Sequence, residues 1–274
     1  MSTLAAPARF DIGRAITLSF SAYGRNFARL IALSLLLYVL PSLLLSVLQV
    51  RHSMEMLSRG PLAISEYVTA WPLSLASAAV ALVSAALLRI AVVRTVLGDL
   101  SGRPVGFTEC LSSAVRDVLP VMGLIVVFVL GIAFGLFLLV VPGVILFLAW
   151  CVALPAQVVE GPGIMRAFSR SADLTRNRRG AIFVVWLVVG VANWIAQTTL
   201  TAVIVGLFGS ASIGAALLSG GQGLAGFYWA TLGAGFVQGT LLGSVDAVVA
   251  SALYFELRAG KEGVGFDQVA DVFS

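Results

Sequence analysis

Six apolar runs, each of a length that crosses a bilayer, leave this chain little choice of solvent. They lie at Leu30–Val50, Pro72–Val96, Leu119–Val140, Gly143–Val159, Ala181–Phe208 and Gly226–Leu257. A helix rises about 1.5 Å per residue, so roughly 20 residues cross the ~30 Å hydrocarbon core. Charged residues make up 11% of the 274 positions and hydrophobic residues 59%, against about 25% charged in soluble domains. A soluble fold of this length could not hide that much apolar surface. The fold class is therefore all-α: a polytopic membrane protein, one membrane domain over residues 1–274, with six transmembrane helices paired as three hairpins. The last two runs exceed the bilayer thickness, which predicts tilt or protruding ends. The first run reads as a span and not as a cleavable signal peptide, because no small-residue cleavage site follows it and further spans do.

The basic residues give the orientation. Of the 17 Lys and Arg residues, fifteen fall on one side of a six-span topology, counting Arg89 and Arg94 in the adjoining half of the second span, and only Arg51 and Arg59 fall on the other. The positive-inside rule makes the crowded side cytoplasmic, together with both termini. Adding or dropping a span would scatter the arginines over both sides. The formal net charge of +4 is mostly Arg at span ends. It suits the headgroups of anionic membrane phospholipids and is no signal for nucleic acid.

Three segments on the basic side carry apolar residues at helical spacing with charges off the stripe: Phe10–Phe27, Val105–Asp117 and Gly163–Thr175. They are expected to be amphipathic helices lying in the inner interface. Arg14, Arg25, Arg166, Arg170 and Arg176 are the candidates for headgroup contact, with topology-setting anchorage as the plainer role. Each segment precedes a span, an outer turn and a returning span. The chain thus reads as three parallel repeats, 10–97, 105–159 and 163–257, in which Ile12-Gly13-Arg14-Ala15 matches Ile164-Met165-Arg166-Ala167. Pro72 and Pro120 are placed in first turns, and Pro41 mid-span, where a kink is expected. The outer connections are a charged loop, Arg51–Trp71, a tight turn, Val141-Pro142-Gly143, and an uncharged Gly/Ser/Ala stretch, Gly209–Ala225.

Polar residues inside spans are the default functional candidates. Counted from the cytoplasmic ends, Arg89 lies roughly 13 Å deep and Asp246 roughly 15 Å, with Asn193 at roughly 18 Å and Gln197 and Gln238 one layer further out. Equal depth and opposite charge predict an Arg89–Asp246 pair, either a structural lock between the second and sixth spans or a coupling or headgroup site. Arg94, nearer the interface, is expected to snorkel. Gly235, Gly239 and Gly243 recur every fourth residue and are expected to form a packing ridge against the second or fifth span, or a homodimer face. The lone histidine, His52, with Glu55 and Glu66 nearby, does not make a metal site by count. Cys110 and Cys151 fall in different compartments, so neither a disulfide nor a metal is expected. No catalytic residues are assigned and no cofactor is implied, since GxSxG, HExxH and P-loop patterns are missing from the sequence.

From Val140 to Arg179 the pattern is more specific. Val141-Pro142-Gly143-Val144, Ala153-Leu154-Pro155, Val158-Val159-Glu160-Gly161 and Ala167-Phe168-x-Arg170-Ser171-x-x-Leu174, with Tyr254-Phe255-Glu256-Leu257-Arg258 near the end, resemble the membrane domain of the bacterial glycerophosphoryl diester phosphodiesterase family and related six-span inner-membrane proteins. The family's soluble barrel, with its histidines and metal-binding carboxylates, has no counterpart among these residues, so its activity does not carry over. The resemblance implies a bacterial inner-membrane protein linked to glycerolipids. The expectation is a non-enzymatic lipid- or envelope-related accessory protein, with a protein partner or homo-oligomer left open. The alternative is a small transporter or lipid-handling permease with a polar site at Arg89 and Asp246.

Overall fold

A computed structural model describes residues 10–58, 64–209 and 225–262. The secondary structure of these residues is helical throughout: α1 (Ile12–Arg25), α2 (Phe27–Ser34), a π-helical turn (Leu35–Val39), α3 (Leu40–Ser58), α4 (Ile64–Leu100), α5 (Phe107–Leu138), α6 (Val140–Trp150), α7 (Ala153–Glu160), α8 (Ile164–Thr175), α9 (Arg179–Phe208), α10 (Ala225–Leu242) and α11 (Val245–Glu262). Six stretches among them are long and apolar enough to cross a membrane: Phe27–His52, Trp71–Leu100, Phe107–Leu138, Val140–Glu160, Arg179–Phe208 and Gly226–Lys261. They correspond in order to the six runs of the sequence. This is the architecture of an all-helical, multi-pass membrane protein.

Several local expectations need correction. Residues 105–117 do not form a separate interfacial helix, because α5 runs unbroken from Phe107 into the third span. Pro120 lies well inside that helix and Pro72 well inside α4, not in first turns. A proline removes one backbone donor, and in an apolar helix the remaining ladder carries on past it. Pro41 follows the π-helical turn at Leu35–Val39. A widened turn there makes room for the proline ring, which would clash with the carbonyl four residues earlier in a regular helix. The outer connection between the first two spans is largely helical, since α3 continues through His52 and Glu55 to Ser58 and α4 starts at Ile64. The stretch expected as a loop at Gly209–Ala225 lies, over residues 210–224, outside the described residues, as does the tail beyond Glu262.

Two spans are interrupted near their middles. The fourth breaks between α6 and α7 at Cys151 and Val152, and the sixth between α10 and α11 at Gly243 and Ser244. The break in the fourth span is closed by α8. Ser171 Oγ donates to the Ala149 carbonyl at 2.7 Å and accepts from the Val152 N–H at 3.3 Å. One fully buried hydroxyl thus satisfies two backbone groups that the break leaves free. Gly243 belongs to its break and not to a packing ridge, for a Cβ there would collide with the Gly239 carbonyl oxygen of its own chain.

The chain forms two compact units. The first comprises the segment up to Leu30, Ala86–Val191 and the segment from Ser244; the second comprises Ile31–Ala85 and Ala192–Gly243. In the first unit much of the inner half of α4 is buried, with Ile90, Ala91, Val92, Val93 and Val96 fully covered and Arg89, Arg94 and Asp99 partly exposed. Beside it, Leu124, Ala153, Ala167 and Phe168 form a core on which Val127, Phe128, Trp150, Leu154 and Ile164 pack. The tight approach of α5 to α6 needs glycine. A Cβ on Gly135 would lie 2.9 Å from Gly143 Cα, and one on Gly131 would run into the Trp150 ring. Glycines four apart on α5 let the helix backbones meet. In the second unit, α3 and the π-helical turn pack on α10. There a Cβ on Gly239 would lie 3.0 Å from Val39 Cγ2. The glycine of the sixth span therefore faces the first span, and not the second or fifth.

Candidate binding site

Arg89 lies in the buried inner half of α4, and Asp246 in the first turn of α11, just past the break of the sixth span. A helix N-terminus favours a negative charge, and Asp246 occupies such a position in α11. Arg89 Nη2 donates to Asp246 Oδ2 at 3.1 Å. The bond is single, one nitrogen to one oxygen. The side chains remain 34% and 46% exposed.

The pair borders a cavity of about 220 Å³ in the first unit. Its other walls come from α5 (Leu124, Phe128, Val129), α6 (Phe147, Trp150), α9 (Trp186) and α11 (Ala247, Ala250), with Cys151 at the break of the fourth span. The aromatic walls are organised edge to face. Phe128 and Phe147 have ring centroids 6.2 Å apart, and Phe147 and Trp186 5.2 Å apart. Arg89 and Asp246 are the charged residues of this lining. The site is an apolar pocket with one net-neutral ion pair at its edge.

The other three polar candidates are elsewhere. Asn193, Gln197 and Gln238 belong to the second unit. Gln238 Nε2 donates to the Gln197 carbonyl at 2.7 Å and also to Thr201 Oγ1. These bonds tie α10 to α9. Asn193 Oδ1 is buried without a hydrogen-bond partner among the described residues. The five residues expected as one cluster over two adjacent layers therefore divide into the Arg89–Asp246 ion pair in one unit and, in the other, the Gln238 contact with α9 together with Asn193, which takes no part in that contact. The second unit has its own cavity of about 420 Å³, uncharged, with Tyr38, Ser42, Ser46, Gln49, Tyr228 and Thr231 among its lining residues. Two of its hydroxyls bond back to their own helices, Ser46 to the Ser42 carbonyl and Thr231 to that of Tyr228.

On the arginine-rich side, the candidates for headgroup contact divide into two groups. Arg14 pairs with Glu256 at 3.3 Å, Arg25 with Asp99 at 2.8 Å, and Arg170 with Glu160 at 3.0 Å. Each pair joins separate elements, α1 to α11, α1 to α4 and α7 to α8. Glu160 also accepts from the Tyr254 hydroxyl at 2.7 Å, so α11 is tied in as well. The turn leading to Arg170 needs glycine, since Gly161 and Gly163 adopt φ of 60° and 93°. Arg166 and Arg176 are exposed and make no ion pair with the described residues. Arg94 does not snorkel; it pairs with Asp117 of α5 at 3.1 Å and is 18% exposed. Among the described residues no three His, Cys, Asp or Glu side chains gather as a metal ion would require.

The aromatic wall, the Ser171 bridge and the Glu160–Tyr254 bond are absent from the sequence-based candidates. Phe128, Phe147, Trp150 and Trp186 are large aromatics within spans, a usable signal, but their convergence depends on how three helices, α5, α6 and α9, pack. The glycine pair Gly131 and Gly135 carries the same spacing as the sixth-span glycines and was readable in the same way. Comparison of the chain with protein-family profiles, with curated proteins and with solved structures finds no match.

Proposed function

We propose that this chain is a non-enzymatic, lipid-related accessory protein of the bacterial cytoplasmic membrane, its six spans arranged as three hairpins with both termini cytoplasmic. The observation that carries this reading is the division among the arginines. Arg14, Arg25, Arg94 and Arg170 each bind an acidic side chain on another element and act as internal ties. Arg166 and Arg176, at the two ends of the α8 region, are exposed and form no such tie. Exposed guanidinium groups at the inner interface match the phosphates of anionic phospholipids. The family resemblance over residues 140–179 adds a link to glycerolipids.

The permease reading draws on one observation, the two broken spans beside one cavity, a pattern that transporters use to build substrate sites. Against it, the break of the fourth span is closed by Ser171, and the cavity walls are mainly aromatic and aliphatic. The accessory reading is tested by native mass spectrometry of the purified chain with phosphatidylglycerol. Arg166→Gln with Arg176→Gln should lower bound phosphatidylglycerol several-fold while thermal stability holds. Arg170→Gln should instead lower stability, because it leaves Glu160 half-buried without its charge partner. Unchanged phosphatidylglycerol binding in the double variant refutes the interfacial role.

A further inference from the structure

The Arg89–Asp246 pair is incompletely satisfied. A guanidinium offers five N–H donors and a carboxylate two oxygens, yet a single bond, Nη2 to Oδ2, joins them. The remaining donors of Arg89 and Oδ1 of Asp246 have no partner among the described residues. Both side chains are partly exposed, 34% and 46%, beside a break in the middle of the sixth span. A charge facing hydrocarbon at that depth is strongly unfavourable. A polar group that both accepts and donates therefore belongs against the pair.

The cavity narrows what that group is. Its volume of about 220 Å³ is below the ~300–1,000 Å³ of sites that enclose a whole ligand. It suits a small head followed by part of a chain. An anionic head would meet the Asp246 carboxylate, and a cationic head the Arg89 guanidinium. A hydroxyl answers both partners, its oxygen accepting from Arg89 and its hydrogen donating to Asp246 Oδ1. It also leaves water at far lower cost than a phosphate does. The walls beyond the pair, Phe128, Phe147, Trp150 and Trp186, are apolar and suit an acyl chain.

We propose that this cavity binds a neutral lipid alcohol of the diacylglycerol type, with its hydroxyl between Arg89 and Asp246 and an acyl chain along the aromatic wall. The proposal deepens the lipid-related reading and rests on it in placing the chain in a bilayer; it does not involve Arg166 or Arg176.

The test uses the purified full chain in detergent, titrated with dioleoylglycerol, with its O-acetyl derivative, and with dioleoyl phosphatidylglycerol and phosphatidylethanolamine, read by native mass spectrometry. The acetyl derivative keeps the chains and loses the donor. Dioleoylglycerol should bind about tenfold more tightly than the acetyl derivative, the effect of one hydrogen bond to a charged group. Arg89→Met with Asp246→Leu, which removes both charges together, should erase that preference. Val129→Trp, at an exposed position of the lining, should fill the cavity and weaken both ligands without touching the pair. Equal affinity for alcohol and acetate in the unmodified chain overturns the proposal. So does tighter binding of either phospholipid in the cavity, absence of dioleoylglycerol binding, or insensitivity to Val129→Trp. Arg166→Gln with Arg176→Gln should leave dioleoylglycerol binding intact, so failure of the interfacial reading and failure of this one give different results.

Discussion

Arg89 and Arg94 sit on the same helix and reach partners on different ones, Asp246 on α11 and Asp117 on α5. Each pair converts a costly intramembrane charge into a tie between elements. Because the Arg89–Asp246 pair is partly exposed, its contribution falls below that of a sealed ion pair. Arg89→Gln or Asp246→Asn alone should cost about 1–2 kcal/mol, and the double variant should recover part of the loss. Thermal unfolding in detergent checks this, and unchanged stability in both single variants contradicts the pairing. The pair was legible in the sequence because depth along a helix is counted directly and opposite charges at one depth attract. The Arg94 partner was not, since Asp117 lies in a segment that reads as a separate interfacial helix. Only the continuity of α5 brings that carboxylate to α4.

Helix breaks are the features that periodicity conceals. Cys151 and Val152 lie in an apolar run, and the one local mark of the interruption is Pro155 in the first turn of α7, whose ring and missing N–H exclude a regular bond to the Cys151 carbonyl. What permits it is Ser171, which replaces the missing backbone partners from a different helix. Ser171→Ala should leave the Ala149 carbonyl with only the long 3.5 Å bond from Thr175 Oγ1 and the Val152 N–H without its Ser171 acceptor. The expected loss is about 1–3 kcal/mol, seen as a lower melting temperature in detergent. A neutral effect would mean the break is held by packing alone. Gly243 illustrates the opposite difficulty: its spacing from Gly239 suggests a ridge, whereas its role is to end α10. Spacing marks where close approach is allowed, and only the neighbouring helix decides whether it is used. Gly131 and Gly135 on α5 use it, against Trp150 and Gly143.

At the scale of the whole molecule, six apolar stretches and the one-sided arginines were readable from residue order, because bilayer thickness and surface potential act on the chain segment by segment. The grouping of α4, α5, α6, α9 and α11 around one cavity was not, because it depends on long-range packing between apolar helices of similar composition. The account rests on that cavity being a lipid-facing pocket and not part of an aqueous path. The most direct measurement is labelling of Ala247→Cys, beside the ion pair, in a chain whose Cys110 and Cys151 are replaced by Ser, reconstituted in vesicles. Because addition to a maleimide needs the thiolate, which forms only where water reaches, neither a lipid-soluble maleimide nor a charged, membrane-impermeant thiol reagent applied from either side should label this position in the folded chain, and both should label it after unfolding in SDS. Rapid labelling by the charged reagent from one side would show a water-filled route to Asp246 and contradict the lipid-pocket account in favour of a permease.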